Sequence, residues 1–280
     1  MRKKITLLDG AVGTSLWNIA DKNGIERTPV WRYNIEHPEL VLQLAKEYID
    51  AGAEIILANT FGANRDALKR SGYTVKQVVG EGVRICRKAV EGTNVKVALS
   101  AGPLMQLLEP YGDLTEEEAE QIYEEQIGAG MEEGADVIVL QTFMDVEMLK
   151  IATKVAKKYN VPVICMMTFE KVGKTMMGNS VDDFIEAMKP FDIDAIGMNC
   201  SLGPKLAVPV MKEFVGKTNL PLAFKPNAGL PIRDSNGKTH TDYDAATFVE
   251  EVKPALEFVD MIGGCCGTDP EYIRELKKSI

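Results

Sequence analysis

The chain has 280 residues, 45% hydrophobic and 26% charged, which is ordinary for a soluble globular enzyme with a sizeable core. Its 41 acidic residues outnumber 32 basic ones, giving a net charge of −9, and no basic run stands out, so nucleic acid and anionic membranes are poor partners. The apolar run behind the basic start is broken by Asp9 and is too short for a secretory signal. No stretch reaches the length of a membrane span, so the expected location is the cytoplasm. In that compartment five cysteines, an odd number, favour metal or catalytic work over a disulfide framework.

Strand-like and helix-like segments alternate along the chain. ITLLD (5–9) reads as a first strand, and residues 37–52 as a helix opened by Pro38 and closed by Gly52. EIILA (54–58) is a second strand, followed by a helical stretch to about residue 91 that breaks near Ser71-Gly72. VKVALS (95–100) is a third strand. The helix over 115–134 has Thr115 as its cap and acids in its first turn, which complement the helix dipole. DVIVL (136–140), PVICMMT (162–168), DAIGMN (194–199), PLAFKPN (221–227) and VDMIGG (259–264) continue the strand series. Helices are expected over 145–159, 180–190, 203–217, 243–258 with a kink at Pro254, and 270–280.

The strands are near-continuous apolar runs, as in a parallel sheet covered on both faces. An open doubly wound sheet would satisfy that pattern. Eight strand–helix units in this length suit a closed α/β fold better, the (β/α)8 or TIM barrel, as one domain over 1–280.

In such a barrel the loops after the strands build the active face. The predicted strand ends carry Asp9-Gly10, Asn59-Thr60, Ser100, Gln141-Thr142, Thr168, Asn199-Cys200, Lys225-Pro226-Asn227 and Gly263-Gly264-Cys265-Cys266. Three of the five cysteines therefore fall at two strand ends, while Cys86 and Cys165 read as small buried hydrophobes. Three converging thiolates with an open fourth position form a catalytic zinc arrangement, and glycines around Cys265-Cys266 let the backbone turn both side chains to one ion. A vicinal disulfide, a redox switch and a plain tight turn are the competing readings of the same pair. DGAVGT (9–14) lacks the spacing of a phosphate loop and reads as a tight turn around a small ligand. His37 and His240, at a helix start and in a loop, read as capping or exposed residues.

LLDGAVGT, ANTFGANR, MNCSLGP, KPNAGLP and GGCCGTDPEYI occur in this order across nearly the whole chain. Together they resemble the homocysteine S-methyltransferase family, above all the homocysteine-binding domains of cobalamin-dependent methionine synthases. The resemblance implies zinc (Zn2+) on Cys200, Cys265 and Cys266, with Asn227 as a ligand in the thiol-free state, and methyl transfer to the thiol of homocysteine or a related thiol. It places substrate contacts at Asp9, Gly10, Thr60, Gln141, Thr142 and Asn199. Family members commonly have glutamate where this chain has Gln141, so the charge that would meet the substrate ammonium is missing: either homocysteine binds more weakly, Asp9 compensates, or the true thiol lacks an ammonium group. The tyrosine of the betaine-dependent relatives has no match in TFGAN (60–64).

The 280 residues contain no cobalamin signature, so methylcobalamin would arrive on a separate corrinoid protein. A small onium donor would instead use aromatic residues, with Trp17, Trp31, Tyr33 and Phe143 as candidates. Two alternatives stand beside this reading. The chain would demethylate another substrate and pass the methyl group to a corrinoid protein, or it would be a non-catalytic zinc- or thiol-binding module.

Overall fold

The computed structural model describes residues 4–229, 231–233, 239–241 and 243–280. Its strands in chain order are β1 (Thr6–Leu7), β2 (Ile55–Leu57), β3 (Lys96–Ala101), β4 (Val137–Phe143), β5 (Val163–Met167), β6 (Ala195–Asn199), β7 (Leu222–Lys225), β8 (Pro231–Arg233), β9 (Thr239–Thr241) and β10 (Met261–Ile262). Eight of them form one parallel sheet in the order β1-β10-β7-β6-β5-β4-β3-β2. The ends meet at Leu8 and Ile55, with Glu54 N–H donating to Leu7 O at 2.7 Å and Asp9 N–H to Ile55 O at 3.2 Å. That seam closes the (β/α)8 barrel. β8 and β9 form a small antiparallel hairpin between β7 and the next helix, an addition the apolar pattern did not announce.

Alternation along the strands separates two cores. Ala98, Val137, Val139, Ile164, Met166, Ala195 and Ala223 fill the barrel interior. Their neighbours in sequence, such as Leu99, Ile138, Cys165, Ile196 and Phe224, belong to the larger layer between sheet and helices. Cys165 and Cys86 are fully buried there, and burial, the leading cause in each, pushes both thiols up to about 12. They are inert packing residues.

The helices are α1 (Gly13–Lys22), α2 (Tyr33–Glu36), α3 (Pro38–Ala51), α4 (Arg65–Leu68), α5 (Val75–Ala89), α6 (Glu116–Glu132), α7 (Val146–Ala156), α8 (Val181–Met188), α9 (Pro204–Lys212), α10 (Ala245–Val252) and α11 (Pro270–Ser279). Capping fixes several starts. Thr115 and Glu118 form a full capping box at α6, as do Thr74 with Gln77 at α5 and Ser180 with Asp183 at α8. Pro254 ends α10 and opens a 3-10 turn over 253–257, because it cannot donate to the α-helical ladder. His37 is the N-cap position of α3, and His240 lies in the β9 arm of the hairpin rather than in a loop. Among the described residues no helix is long and apolar enough to cross a membrane.

Candidate active site

β7 organises the three strand-end cysteines. It runs between β6 and β10, so its exit is flanked by Cys200 on one side and Cys265-Cys266 on the other. Cys200 N–H donates to Lys225 O at 3.0 Å, Cys265 N–H to Pro226 O at 2.8 Å, and Ala228 N–H to Cys266 O at 2.9 Å. The backbone of the KPNA stretch thus clamps both cysteine segments. Cys200 and Ser201 both take left-handed backbone angles, φ 64° and 61°, which cost about 1–3 kcal/mol each for such residues. The Cys200–Lys225 bond and the donation from Asn227 N–H to Leu202 O at 3.0 Å hold that turn.

The glycines of GGCCGT work chiefly by close approach. A Cβ on Gly263 would lie 2.5 Å from the carbonyl oxygen of Asp9, so β10 nests against the first strand's exit only without a side chain. Gly267, with φ 84°, supplies the left-handed turn after the pair. Thr268 then ties this segment to the first loop. Its hydroxyl donates to Cys265 O at 2.7 Å and accepts from Ala11 N–H at 3.1 Å.

The result is a cluster in which the three Sγ atoms of Cys200, Cys265 and Cys266 lie within 4.8 Å of one another. Cys200 Sγ and Cys266 Sγ are 3.8 Å apart. Such crowding disfavours charge on free thiols. At Cys265 the hydrogen bond with Cys200 is the leading cause, with burial adding, and the thiol is pushed up to about 12. At Cys200 the bond with Cys265 favours the thiolate, but the bond with Cys266 and burial outweigh it, leaving the group at about 11. Cys266 also benefits from its bond with Cys200, yet the hydrogen bond and charge of Cys265 carry it to about 12. Three proximate sulfurs that repel one another as anions are a donor set that a divalent, thiophilic cation fits.

Beside the thiols opens a pocket of about 250 Å³, lined by all three cysteines and by residues from the exits of the first four strands and of β7. Gly10–Thr14 form one wall. They include the start of α1, whose first turn has no side-chain cap. Uncapped helix N–H groups make that wall attractive to an anion. Gln141, Thr142, Ser100, Asn59, Trp17 and Phe61 complete much of the rest. Gln141 Nε2 donates to Ser100 Oγ at 2.9 Å, which leaves Gln141 Oε1 buried with no hydrogen-bond partner. No carboxylate lines the pocket among the described residues.

Lys225 is the cation in the wall, and its ammonium meets Asp9 Oδ1 at 2.5 Å with both side chains almost fully buried. Asp9 Oδ2 accepts from Leu57 N–H at 2.7 Å. Both oxygens of Asp9 therefore already accept a hydrogen bond from within the protein.

Of the sequence-derived substrate contacts, Gly10, Gln141 and Thr142 line the pocket. Asp9, Thr60 and Asn199 stand behind it, each bonded to a lining residue: Lys225, Ser100 and Thr142 respectively. Asn227 has its Oδ1 buried without a partner. Of the four aromatic candidates, Trp17 reaches the pocket, whereas Trp31, Tyr33 and Phe143 are buried in the core. Phe61 and Lys225 are wall residues that sequence reasoning did not assign. Phe61 sits in the quoted TFGAN stretch, and its exposure depends on a loop conformation that periodicity does not encode.

The chain is similar to known proteins over its full length. A family model described as homocysteine S-methyltransferase matches residues 6–280. Methionine synthase from Mycobacterium leprae is 26% identical over 303 residues, covering 100% of this chain and 24% of that protein. The corresponding protein of Mycobacterium tuberculosis is also 26% identical, covering 100% and 25%. The chain thus spans about a quarter of the length of these curated relatives. Among solved structures, the metallated form of the homocysteine methyltransferase MmuM from Escherichia coli superposes with a TM-score of 0.81 at 22% identity, over 99% of this chain and 96% of that one. Its apo form gives 0.76 at 22% identity, over 100% and 97%. These superpositions show a shared fold. The family model, which spans every barrel strand and all three clustered cysteines, shows more: the chain belongs to the homocysteine S-methyltransferase family, a family of S-methyltransferase enzymes.

Proposed function

We propose that this chain is a zinc-dependent methyltransferase that moves a methyl group to the thiol of homocysteine from a methylated corrinoid protein. The observation that carries the reading is the three-thiol cluster at the edge of the pocket. Cys200, Cys265 and Cys266 would hold the metal, and the unpartnered Oδ1 of Asn227 makes that residue the candidate for the thiol-free state. A relative in this fold has been solved in a metallated form, which supports a metal here. Zinc, when bound, keeps a substrate thiol as its thiolate near neutral pH.

The protein's own residues orient the rest of the substrate. The uncapped start of α1 suits the substrate carboxylate, and Gln141 Oε1 offers an acceptor to its ammonium. Trp17 and Phe61 provide apolar walls that limit water around the reacting sulfur.

The donor side is argued from the rim. Among the described residues, eight of the nine exposed large hydrophobic side chains follow barrel strands at the mouth. Phe61 follows β2; Met105, Leu107 and Tyr111 follow β3; Val172, Met176 and Met177 follow β5; Leu206 opens the helix after β6. Exposed apolar side chains of this kind suit a docking surface, and a pocket of about 250 Å³ would admit the methyl group of a corrinoid but not the corrin ring.

Metal analysis of protein purified without chelator, together with Cys200→Ala, tests the reading. The expected result is one zinc per chain, lost with activity in the variant. Metal-free protein and an active Cys200→Ala enzyme would sink it. A second reading is favoured by one observation, the absence of a carboxylate from the pocket wall among the described residues. In it the enzyme demethylates another substrate and charges the corrinoid protein. Calorimetric titration with homocysteine separates the two, since proton-releasing binding belongs only to the first.

A further inference from the structure

Asn199 ends β6 immediately before Cys200 and is almost fully buried. Its hydrogen bonds fix which way its amide faces. Thr142 N–H donates to Oδ1 at 2.8 Å, and a backbone N–H can face only an acceptor, so the amide nitrogen lies on the opposite side. Nδ2 then donates to Thr142 Oγ1 at 2.8 Å and to Cys265 Sγ at 3.7 Å. One side chain therefore joins two walls of the site: the exit of β4 and the cysteine pair after β10.

The partner on the β4 side is itself unusual. Thr142 is β-branched and yet has φ 66°, a left-handed conformation in which such residues are rare. The two bonds from Asn199 brace that turn and aim Thr142 at the pocket. The contact with sulfur is not needed for bracing. It matches a sulfur that acts as acceptor, as a metal-bound thiolate does; Cys200 and Cys266 receive backbone N–H donors, whereas among the described residues Cys265 is the cysteine of the three met by a side-chain amide.

We propose that Asn199 is a positioning residue of the metal centre, which orients the Cys265 thiolate through a side-chain N–H donor and couples it to the Thr142 turn. The proposal rests on the reading of Cys200, Cys265 and Cys266 as metal ligands. An N–H···S bond draws charge from the thiolate and fixes its orientation, and outer-shell partners of this kind affect metal affinity by about 10- to 100-fold.

The test uses cobalt(II) as the probe, titrated into metal-free protein, with the thiolate-to-metal charge-transfer band as readout. Asn199→Ala should move the band to longer wavelength, because the sulfur becomes more electron-rich, and should weaken cobalt binding by about 10- to 100-fold. Asn199→Asp keeps an acceptor for Thr142 N–H but turns the donor facing the sulfur into an acceptor. It should give the same red shift, and it serves where the alanine variant fails to fold. Thr142→Ala removes the hydroxyl arm of the brace and leaves the sulfur contact, so its band should stay in place.

A wild-type band in Asn199→Ala or Asn199→Asp overturns the proposal, as does an equal red shift in Thr142→Ala, which a merely structural brace would produce. Absence of any thiolate band in the wild-type protein overturns the metal reading itself, and this proposal with it.

Discussion

Asp9→Asn isolates the buried ion pair behind the pocket. Lys225 Nζ and Asp9 Oδ1 are 2.5 Å apart, and the side chains are 2% and 1% exposed. Asparagine has the shape of aspartate and keeps an oxygen for Leu57 N–H, so the substitution removes charge and little else. It leaves an ammonium group buried without its counterion, which costs about 3–5 kcal/mol. That is a large part of a typical total stability of about 5–15 kcal/mol. Lys225→Met strands the carboxylate instead and should cost a similar amount.

The double variant Asp9→Asn, Lys225→Met removes both charges, and well-packed apolar replacement of a whole buried pair is often close to neutral. It should therefore be more stable than either single variant. Urea unfolding of the metal-free protein, compared at a common slope, reads all four corners of the cycle. Single variants that each cost less than about 1 kcal/mol, or a double variant that loses the sum of the two, would refute the reasoning.

Two further outcomes follow from the pocket. Gln141→Glu should tighten homocysteine binding by roughly 5- to 10-fold, because a hydrogen bond to a charged group is worth about 1 kcal/mol more than a neutral one. Unchanged affinity by calorimetry at full metal content would remove position 141 from ammonium recognition. Metal binding should also release protons. Thiols held at about 11 to 12 are protonated at neutral pH, so loading three thiolates displaces about three protons. The sign follows: protons compete with the metal, and affinity falls as pH is lowered from 9 to 6. A pH-independent zinc affinity measured by chelator competition contradicts three-thiolate coordination.

The barrel was legible because its signals are local. Apolar strand runs, the Thr115 cap and Pro254 each act on their immediate neighbours, and the structure keeps them where the pattern put them. The cysteines were legible for a related reason. Residues at strand exits are carried to one face by the topology alone, so three strand-end cysteines converge even when strand bounds are inexact. α1 escaped notice because it lacks start signals: its N-cap position is Val12, which makes no side-chain cap, and no acid lies in its first turn. The β8–β9 hairpin has arms of only three residues, too short for an alternation pattern to register.

What the sequence concealed is which polar groups are already engaged. Asp9 at a strand exit looks available to a substrate ammonium until Lys225, 216 residues away, takes one oxygen and Leu57 N–H the other. Gln141 looks like a weakened glutamate until Ser100 orients its amide and leaves an oxygen unpartnered beside the pocket. The two facts bear on each other. With Asp9 committed, Gln141 Oε1 is, under the proposed function, the unpartnered acceptor left for a substrate ammonium. A free ammonium would then enter a wall that holds an already neutralised lysine and, among the described residues, no carboxylate. If the proposed function holds, selectivity for homocysteine over a thiol lacking the ammonium rests on one neutral hydrogen bond, and it should be shallow, on the order of 10-fold or less. Competition between homocysteine and 4-mercaptobutyrate for the metal-loaded protein measures that ratio directly. A preference for homocysteine of 1,000-fold would mean that a charged group outside this wall reads the ammonium.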